Sequence, residues 1–283
     1  MTLQKVELHL GRNRCFMKLM EGKCGLIMGV ANERSIAWGI AKKLAEHGAK
    51  MAFSYQSDSV LKRVTPLAES IGMSHVFQCD ASNEESVTGL FKKVGEAFGK
   101  IDFIVHAIAF SDKNELSGRY MDTTQQNFLN TLNVSCYSFT LVCRHAEAYL
   151  NDGASIISLS YLGAERVMPN YNVMGVAKAA LEASVKYLSV DLGQKNIRVN
   201  AISAGPIKTL AASAIGDFKY ILKWNKYNAP LKRNTTLEDV GGTALYLLSE
   251  LGSGVTGEVI HVDSGYHVVG MKSVDAPDIS VVE

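Results

Sequence analysis

Two tyrosines and a lysine near the middle of the chain have the residue types and the spacing for chemistry on a carbonyl group. Tyr171 and Lys178 are seven residues apart, so on an α-helix they lie on one face, about two turns apart. An ammonium group beneath a phenol is expected to lower the phenol's pKa, which would strengthen its hydrogen bond to an oxygen that gains negative charge. Tyr161 follows the apolar run of residues 155 to 160, which predicts a buried strand with Tyr161 at its carboxyl end.

These three residues also have a purely structural interpretation. Tyrosines are common where a buried surface meets water, and a lysine on a helix is commonly solvated. A tyrosine and a lysine at a fixed spacing match by chance in many chains. Taken alone, the pair favours the structural interpretation, and the surrounding sequence has to decide.

The surrounding sequence resembles one enzyme family. Residues 161 to 183 (YLGAERVMPNYNVMGVAKAALEA) and 198 to 213 (RVNAISAGPIKTLAAS) are similar to the bacterial NADH-dependent enoyl-acyl-carrier-protein reductases. These enzymes are a divergent branch of the short-chain dehydrogenase/reductase superfamily. The resemblance extends from about Gly22 to Met271. Ordinary members of the superfamily have a shorter spacing between tyrosine and lysine, whereas the enoyl reductases have the spacing found here.

Length and composition indicate one domain and exclude several classes of partner. The 283 residues are 47% hydrophobic and 20% charged, enough for one large core. Twenty-nine basic and 28 acidic residues give a net charge of +1, which favours neither nucleic acid nor a membrane surface as a partner. No uncharged apolar run has the length of a membrane-spanning helix. Five cysteines without a C-x-x-C pair predict reduced thiols in a cytoplasmic protein.

The order of apolar segments predicts an α/β fold. We expect a single Rossmann-like domain over residues 20 to 271, with a doubly wound parallel sheet of about seven strands and helices on both faces. Residues 1 to 19 are expected to be a disordered extension and residues 272 to 283 a loose tail. Residues 123 to 150 read as one long amphipathic helix. The predicted strands are residues 24 to 30, 50 to 56, 75 to 81, 100 to 110, 155 to 160, 196 to 203 and 258 to 265.

The first strand-to-helix connection has the chemistry to hold a pyrophosphate. Gly29 permits a tight turn, and Ser35 is expected to cap a helix that starts at Ile36. The Ser35 hydroxyl and the Ile36 amide would then lie at a helix N-terminus, which attracts anions. An ordinary capped turn explains the same residues, and the spacing is not that of a G-x-G-x-x-G motif.

The next two strands end in residues suited to an adenosine. Gln56 stands where dinucleotide folds contact the adenosine ribose. It is neutral and has no arginine beside it, which favours NADH over NADPH. Asp80 can accept a hydrogen bond from the adenine amino group and Ala81 offers a backbone amide. Asp80 could equally cap the following helix.

The resemblance implies further contacts with NADH after the fourth and sixth strands. The chain departs from the family at Ala107 and Ala109, where the related enzymes often have serine and glycine. Pro206 has no amide hydrogen, so we expect the following amides to be free for the nicotinamide carboxamide, with the Thr209 hydroxyl near a phosphate. Residues 210 to 218 would form a lid. The implied contacts are Ile108, Ile207, Lys208, Thr209, Leu210 and Ala211.

The activity implied by the resemblance is reduction of trans-2-enoyl thioesters on acyl carrier protein, the final reduction of bacterial fatty acid elongation. Tyr171 would hydrogen-bond the thioester oxygen, Lys178 would hold the nicotinamide ribose, and Tyr161 and Ser111 would contact the substrate. The family also implies a homotetramer. The proton donor stays open. So do two other functions, a carbonyl or alcohol oxidoreductase on the same fold and a non-catalytic NAD(H)-binding sensor.

The remaining titratable residues predict no additional chemistry. His106 lies within an apolar strand and is expected to be a satisfied core histidine. His145 and Glu147 have no third partner at a metal-ligand spacing, so we predict no metal site. These expectations leave the tyrosines and the lysine as the reactive groups.

A basic segment follows the sixth strand. Lys219, Lys223 and Lys226 have i, i+4, i+7 spacing and share one face of a predicted helix. This face could bind an acidic carrier protein, or it could be an ordinary solvated surface.

Overall fold

Parallel strands form the centre of the molecule. The computed structural model describes residues 18 to 212 and 215 to 279. Within these residues one seven-stranded sheet has the order β3-β2-β1-β4-β5-β6-β7, and every neighbouring pair is parallel. The predicted fold class is confirmed. The strands are β1 (Cys24–Met28), β2 (Lys50–Tyr55), β3 (His75–Gln78), β4 (Ile101–His106), β5 (Leu150–Ser160), β6 (Arg198–Ala204) and β7 (Val259–Val262).

Helices cover both faces of the sheet. Successive residues of a strand point to opposite faces, so Ile104 packs into one apolar cluster with α3, α5 and α6, and Val105 packs into another with α1, α2 and α8. None of the helices in the described part of the chain has the length and hydropathy needed to cross a bilayer. The helices are α1 (Ile36–Glu46), α2 (Asp58–Ser70), α3 (Glu84–Phe98), α4 (Gln125–Leu132), α5 (Ser138–Ala146), α6 (Asn172–Gly193), α7 (Phe218–Asn228) and α8 (Leu237–Leu248).

The strand order reverses between β1 and β4, which opens a crevice at the carboxyl ends of these strands. Gly29, directly after β1, has a φ of 99°. A Cβ atom there would lie 2.1 Å from the Ala107 carbonyl oxygen after β4. Glycine is therefore required both by the backbone conformation and by the close approach of the two strand ends.

The helix expected over residues 123 to 150 is shorter and is not a regular α-helix. It consists of α4 and α5 joined by a π-helical turn, Asn133–Tyr137, and a 3₁₀ turn follows before β5 begins at Leu150. The Ser138 hydroxyl donates to the Val134 carbonyl oxygen inside this turn. Side-chain bonds of this kind compete with the regular helical ladder. The fifth strand is correspondingly longer at its start than predicted.

The structure describes the two chain ends only in part, because residues 280 to 283 of the expected tail lie outside the described residues. Residues 1 to 17 of the expected extension lie outside the described residues. Leu19 is partly buried against the core, and Met20 is fully buried. At the other end the expected tail reaches Ile279, which is 7% exposed. The four cysteines in the described part of the chain are free thiols.

Candidate active site

Tyr161 and Tyr171 meet edge to face beside the end of β5. Their ring centroids are 4.9 Å apart and the rings are inclined by 69°. Tyr161 directly follows β5, and Tyr171 directly precedes the first residue of α6. A Cβ on Gly163 would lie 2.3 Å from the Tyr171 ring, so the ring can be seated here only because residue 163 is glycine. The two phenols predicted from the sequence come together, with Tyr171 at the helix start.

Lys178 is buried, and the ammonium end of its side chain is hydrogen-bonded to a strand of the sheet. The residue is 6% exposed, and its ammonium Nζ donates to the Leu159 carbonyl oxygen at 2.6 Å. Burial lowers the pKa of Lys178 to about 8, against the opposing influence of Cys136 and Glu182. An ammonium has three hydrogens to donate, so two remain after the bond to Leu159.

The pKa of Tyr171 shifts in the direction opposite to our expectation. Burial raises it, and the nearby Tyr161 and Glu182 act in the same direction. Among the described residues no hydrogen bond joins Tyr171 to Lys178. The prediction that Lys178 lowers the phenol pKa is therefore wrong in this structure, because desolvation of the phenol dominates and Lys178 is not among the groups that shift this pKa. Tyr171 is a neutral hydrogen-bond donor at physiological pH.

His106 lies behind this site in the core and is fully buried. Its Nδ1 is 3.2 Å from the Ser158 hydroxyl, and its Nε2 is 2.9 Å from the Ser138 hydroxyl. Burial, followed by the charge of Lys178, lowers the pKa of His106 to about 3. The imidazole is neutral and hydrogen-bonded at both nitrogens, which confirms the expected core histidine.

The π-helical turn holds the loop that follows β4. The Ser135 hydroxyl accepts from the Phe110 amide and donates to the Phe110 carbonyl oxygen, both at 2.9 Å. Ser111, a predicted substrate contact, accepts a 2.8 Å hydrogen bond from the Thr131 hydroxyl of α4. Further along this loop, Leu116 packs in the same apolar cluster as Tyr171. The loop thus forms one wall beside the tyrosine pair.

The connection after β1 is fixed by Ser35. Its hydroxyl accepts hydrogen bonds from the amides of Ala31 and Asn32, at 3.0 and 3.2 Å, and makes no side-chain cap to α1. The expected capping bond is therefore absent, and the hydroxyl shapes the loop instead. The Ile36 amide belongs to the first turn of α1, whose amides have no partner within the helix.

Gln56 and Asp80 lie together after β2 and β3 and border a common cavity of about 240 Å³. Burial raises the pKa of Asp80, but hydrogen bonds from Ser82 and Gln56 outweigh burial and hold it below its ordinary value. The N-cap of α3 is Asn83, whose side chain accepts from the Ser86 amide. The alternative role of Asp80 as a helix cap is therefore wrong.

The segment after β6 is partly ordered by its own hydrogen bonds. The Thr209 amide donates to the Ile207 carbonyl oxygen at 2.8 Å, so this amide is not free as expected. The Thr209 hydroxyl accepts from the Ala212 amide at 3.0 Å and keeps its own hydrogen for another acceptor. Lys208, Leu210 and Ala211 are exposed.

Comparisons with known proteins identify the family. A family model described as enoyl-(acyl carrier protein) reductase matches residues 29 to 267. This chain belongs to that family. The NADH enoyl-[acyl-carrier-protein] reductase 1 of Rhizobium meliloti is 66% identical over 265 residues, which are 94% of this chain and 97% of the relative. The corresponding Bacillus cereus enzyme is 51% identical and covers 90% of this chain and 100% of its own.

Solved structures of enoyl reductases have the same fold. The Anaplasma phagocytophilum enzyme, crystallised with NAD, has a TM-score of 0.88 and 63% identity over 92% of this chain and 98% of its own. The Bacillus cereus enzyme, crystallised with NADP⁺ and an indole naphthyridinone, also has a TM-score of 0.88, with 51% identity over 90% of this chain and 100% of its own.

The residues of this reductase fit a dinucleotide along the carboxyl edge of the sheet. The connection at Gly29 brings the backbone so close to β4 that any Cβ would fill the space, and a helix N-terminus opens beside it. Hydrogen-bonding groups for an adenosine follow at Gln56 and Asp80, and Lys178 has two unused donors on the other side of β4. In the described chain no group of three or more histidine, cysteine, aspartate or glutamate side chains is arranged to hold a metal ion.

A second cavity of about 250 Å³ opens next to Tyr161. Its walls come from the connections after β5, β6 and β7 and from α7, and they include Pro206 after β6 and Ile221 on α7. Trp224 and Tyr266 also line it, joined by a 2.7 Å hydrogen bond from the indole Nε1 to the phenol oxygen. These two aromatic residues were not predicted from the sequence. The position of Tyr266 shortly after the last strand was the available signal, because ligands bind at that edge.

Proposed function

We propose that this chain is an NADH-dependent enoyl-acyl-carrier-protein reductase that converts trans-2-enoyl thioesters to saturated thioesters. The observation that carries the proposal is the tyrosine pair that follows β5, together with the buried Lys178 bonded to the Leu159 carbonyl near the end of the same strand. This arrangement occurs in a chain that is 66% identical to an enzyme named for the same reaction. NADH, when bound, supplies the hydride that reduces the enoyl double bond.

Tyr171 acts on the oxygen of the thioester. As a neutral phenol it donates a hydrogen bond, and that bond strengthens when the oxygen gains the negative charge of an enolate. The edge-to-face contact with Tyr161 and the close fit against Gly163 keep the ring in one orientation. Because the phenol is already oriented, little reorganisation is required as the charge develops.

Lys178 holds the ribose of the nicotinamide nucleotide. With a pKa of about 8 it is charged at neutral pH, and the bond to the Leu159 carbonyl fixes its ammonium group. Its two remaining hydrogens suit the two hydroxyls of a ribose. The other proposed cofactor contacts are Gly29, Ser35, Ile36, Gln56, Asp80, Ala81, Ile108, Ile207, Lys208, Thr209, Leu210 and Ala211.

The substrate arrives on acyl carrier protein, and we place its docking surface on α7. Lys219 and Lys226 are exposed there, whereas Lys223 is half-buried. An acidic partner would be attracted to this basic surface. The homotetramer and the cytoplasmic location expected from the resemblance remain predictions.

The decisive experiment follows the loss of NADH absorbance with a short trans-2-enoyl thioester. Tyr171→Phe should lower kcat by about 100-fold or more, because it removes the donor to the developing enolate. Tyr246→Phe on α8 makes the same chemical change away from the site and should retain wild-type activity. A parallel series with NADPH measures the cofactor preference.

Two results would change the proposed function. Faster turnover of ketones than of enoyl thioesters would make the protein a carbonyl oxidoreductase. Binding of NADH without turnover of either substrate would make it a sensor. Unchanged kcat in Tyr171→Phe would remove the assigned role of Tyr171.

A further inference from the structure

The cavity beside Tyr161 has an aromatic wall that the reaction does not use. On α7 the rings of Tyr220 and Trp224 are stacked, with centroids 6.1 Å apart and an angle of 23°. The indole Nε1 of Trp224 donates to the Tyr266 hydroxyl oxygen at 2.7 Å. The wall therefore continues from α7 to the segment that follows β7.

The hydrogen bond from Trp224 determines what Tyr266 can offer a ligand. An indole N–H can only donate, so the phenol oxygen of Tyr266 must be the acceptor. The phenol hydrogen is then left for another partner, and none is found for it among the described residues. Tyr266 lines the cavity, so it presents an oriented donor to an acceptor that enters there.

Asn225, on the same wall, has a hydrogen-bond acceptor that complements the donor of Tyr266. It is 2% exposed, and its Nδ2 donates to the Asn234 side-chain oxygen at 3.2 Å. Its own Oδ1 is buried without a hydrogen-bond partner in the described structure. This oxygen is closed off in the structure, but Asn225 borders the cavity. Because a buried acceptor without a partner is unfavourable, a turn of the side chain toward a donor that enters the cavity would be favoured.

Asp263, a charged residue that lines the same cavity, already has hydrogen-bond partners. Asp263 is 5% exposed, and its carboxylate accepts from the amides of Gly265 and His267 and contacts the His267 ring. The side chains left on the wall beyond Tyr161 are neutral. Among them the Tyr266 hydroxyl can donate and the Asn225 Oδ1 can accept, with the Tyr220 phenol nearer the exposed side of α7. A secondary amide, with one C=O and one N–H, has the matching pair of groups.

We propose that Tyr266 and Asn225 form a subsite for an amide of the pantetheine arm that carries the thioester. Tyr266 donates to the amide oxygen, and Asn225 accepts from the amide nitrogen. An acyl tail would leave both groups unpaired, which argues against the tail as the occupant. The inference rests on the proposed function, because it assumes a substrate presented on such an arm.

The test compares two substrates with the same enoyl group, a pantetheine thioester and an ethyl thioester that lacks amides. Tyr266→Phe should lower kcat/KM for the pantetheine thioester by about 3- to 10-fold, the range expected for one neutral hydrogen bond. It should leave the ethyl thioester within about twofold of wild type. An equal loss on both substrates, or no loss on either, would overturn the assignment of Tyr266.

Asn225 has a matched control on the same helix. Asn228 is also buried with an unpartnered Oδ1 but does not line the cavity. Asn225→Leu should reduce kcat/KM for the pantetheine thioester alone, whereas Asn228→Leu should affect both substrates equally or neither. Selective loss in Asn228→Leu, or none in Asn225→Leu, would overturn the subsite.

A binding measurement separates this inference from the proposed function. The chain has two tryptophans, and Trp38 is buried in the core, so a Trp38→Phe background leaves Trp224 as the fluorescent reporter on the wall. Saturated butyryl-pantetheine should change its emission at lower concentration than butyryl ethyl thioester, and Tyr266→Phe should remove the difference. Equal affinity for both compounds would overturn the subsite. Wild-type enzyme that turns over neither enoyl thioester would refute the proposed function itself.

Discussion

Lys178 is protonated in a buried position, where the loss of hydration disfavours its positive charge. One N–H bond to a backbone carbonyl offsets only part of the lost hydration, because a buried ammonium needs more than one partner to recover it. The buried cation near the end of β5 therefore lowers the stability of the fold, and ionisable groups with shifted pKa values are common at functional sites.

The destabilisation caused by the buried charge of Lys178 predicts that the stability of the protein depends on pH. Its folded pKa of about 8 lies below the ordinary 10.5, so between these values the unfolded chain binds more protons than the folded one. The loss of folding stability caused by burying the charged ammonium is complete below pH 8 and disappears as the pH rises toward 10.5. Over this range wild type should gain on the order of 3 kcal/mol relative to Lys178→Met.

Denaturant unfolding of both proteins at several pH values measures this difference. The comparison cancels groups that titrate alike in the two proteins. A stability difference that stays constant between pH 8 and 10.5 would show that Lys178 titrates normally.

The candidate reactive residues were predicted from their types and spacing together with the family resemblance of the surrounding sequence, but their electrostatics could not be predicted in this way. Tyr161, Tyr171 and Lys178 were found from one stretch of sequence. The direction of the Tyr171 pKa depends on desolvation by residues distant in the sequence, and spacing along a helix contains no information about burial. Trp224 and Tyr266 were missed for a similar reason, because their hydrogen bond joins α7 to the segment after β7.

At the scale of elements, two glycines determine how closely the parts of the site approach each other. Gly29 lets β1 end against β4, and Gly163 lets the connection after β5 lie against the first turn of α6. The seven strands and the doubly wound parallel sheet could be predicted from the order of the apolar segments. The π-helical turn could not, because the Ser135 hydroxyl that bonds Phe110 acts between residues far apart in sequence.

Gly163→Ala should therefore damage catalysis by moving Tyr171. The added methyl would overlap the ring, so the ring has to tilt, and we expect kcat to fall by about tenfold or more. Gly242→Ala in α8 is the matched control, because a Cβ there meets nothing within 4 Å. It should keep full activity and gain up to about 1 kcal/mol of helix stability. Equal kcat values for both variants would contradict the role of Gly163.

At the scale of the whole molecule, the charge is balanced but unevenly placed. The chain has a net charge of +1, yet α7 contributes three lysines and no acidic residue. A local basic surface on a nearly neutral protein directs a charged partner to one place and not to the whole surface.

Reversing the charge of α7 should weaken the reaction with the carrier protein only. The double variant Lys219→Glu and Lys226→Glu is expected to lower kcat/KM by about tenfold for the carrier-bound enoyl substrate at low salt, and not for the ethyl thioester. Lys62→Glu with Lys92→Glu changes the net charge equally at exposed positions on α2 and α3. If both double variants lose the same activity on the carrier substrate, docking does not occur on α7.

Asn225 on α7 and Tyr266 after β7 line the cavity. The tyrosine pair and the lysine belong to other elements, the end of β5 and α6. Of the groups that act on the thioester, only Tyr161 borders the same cavity as Trp224, Asn225 and Tyr266, so we expect mutations in this wall to leave Tyr171 and Lys178 in place. Over evolutionary time, the preference for the carrier of the substrate is free to drift while the reduction itself is inherited unchanged.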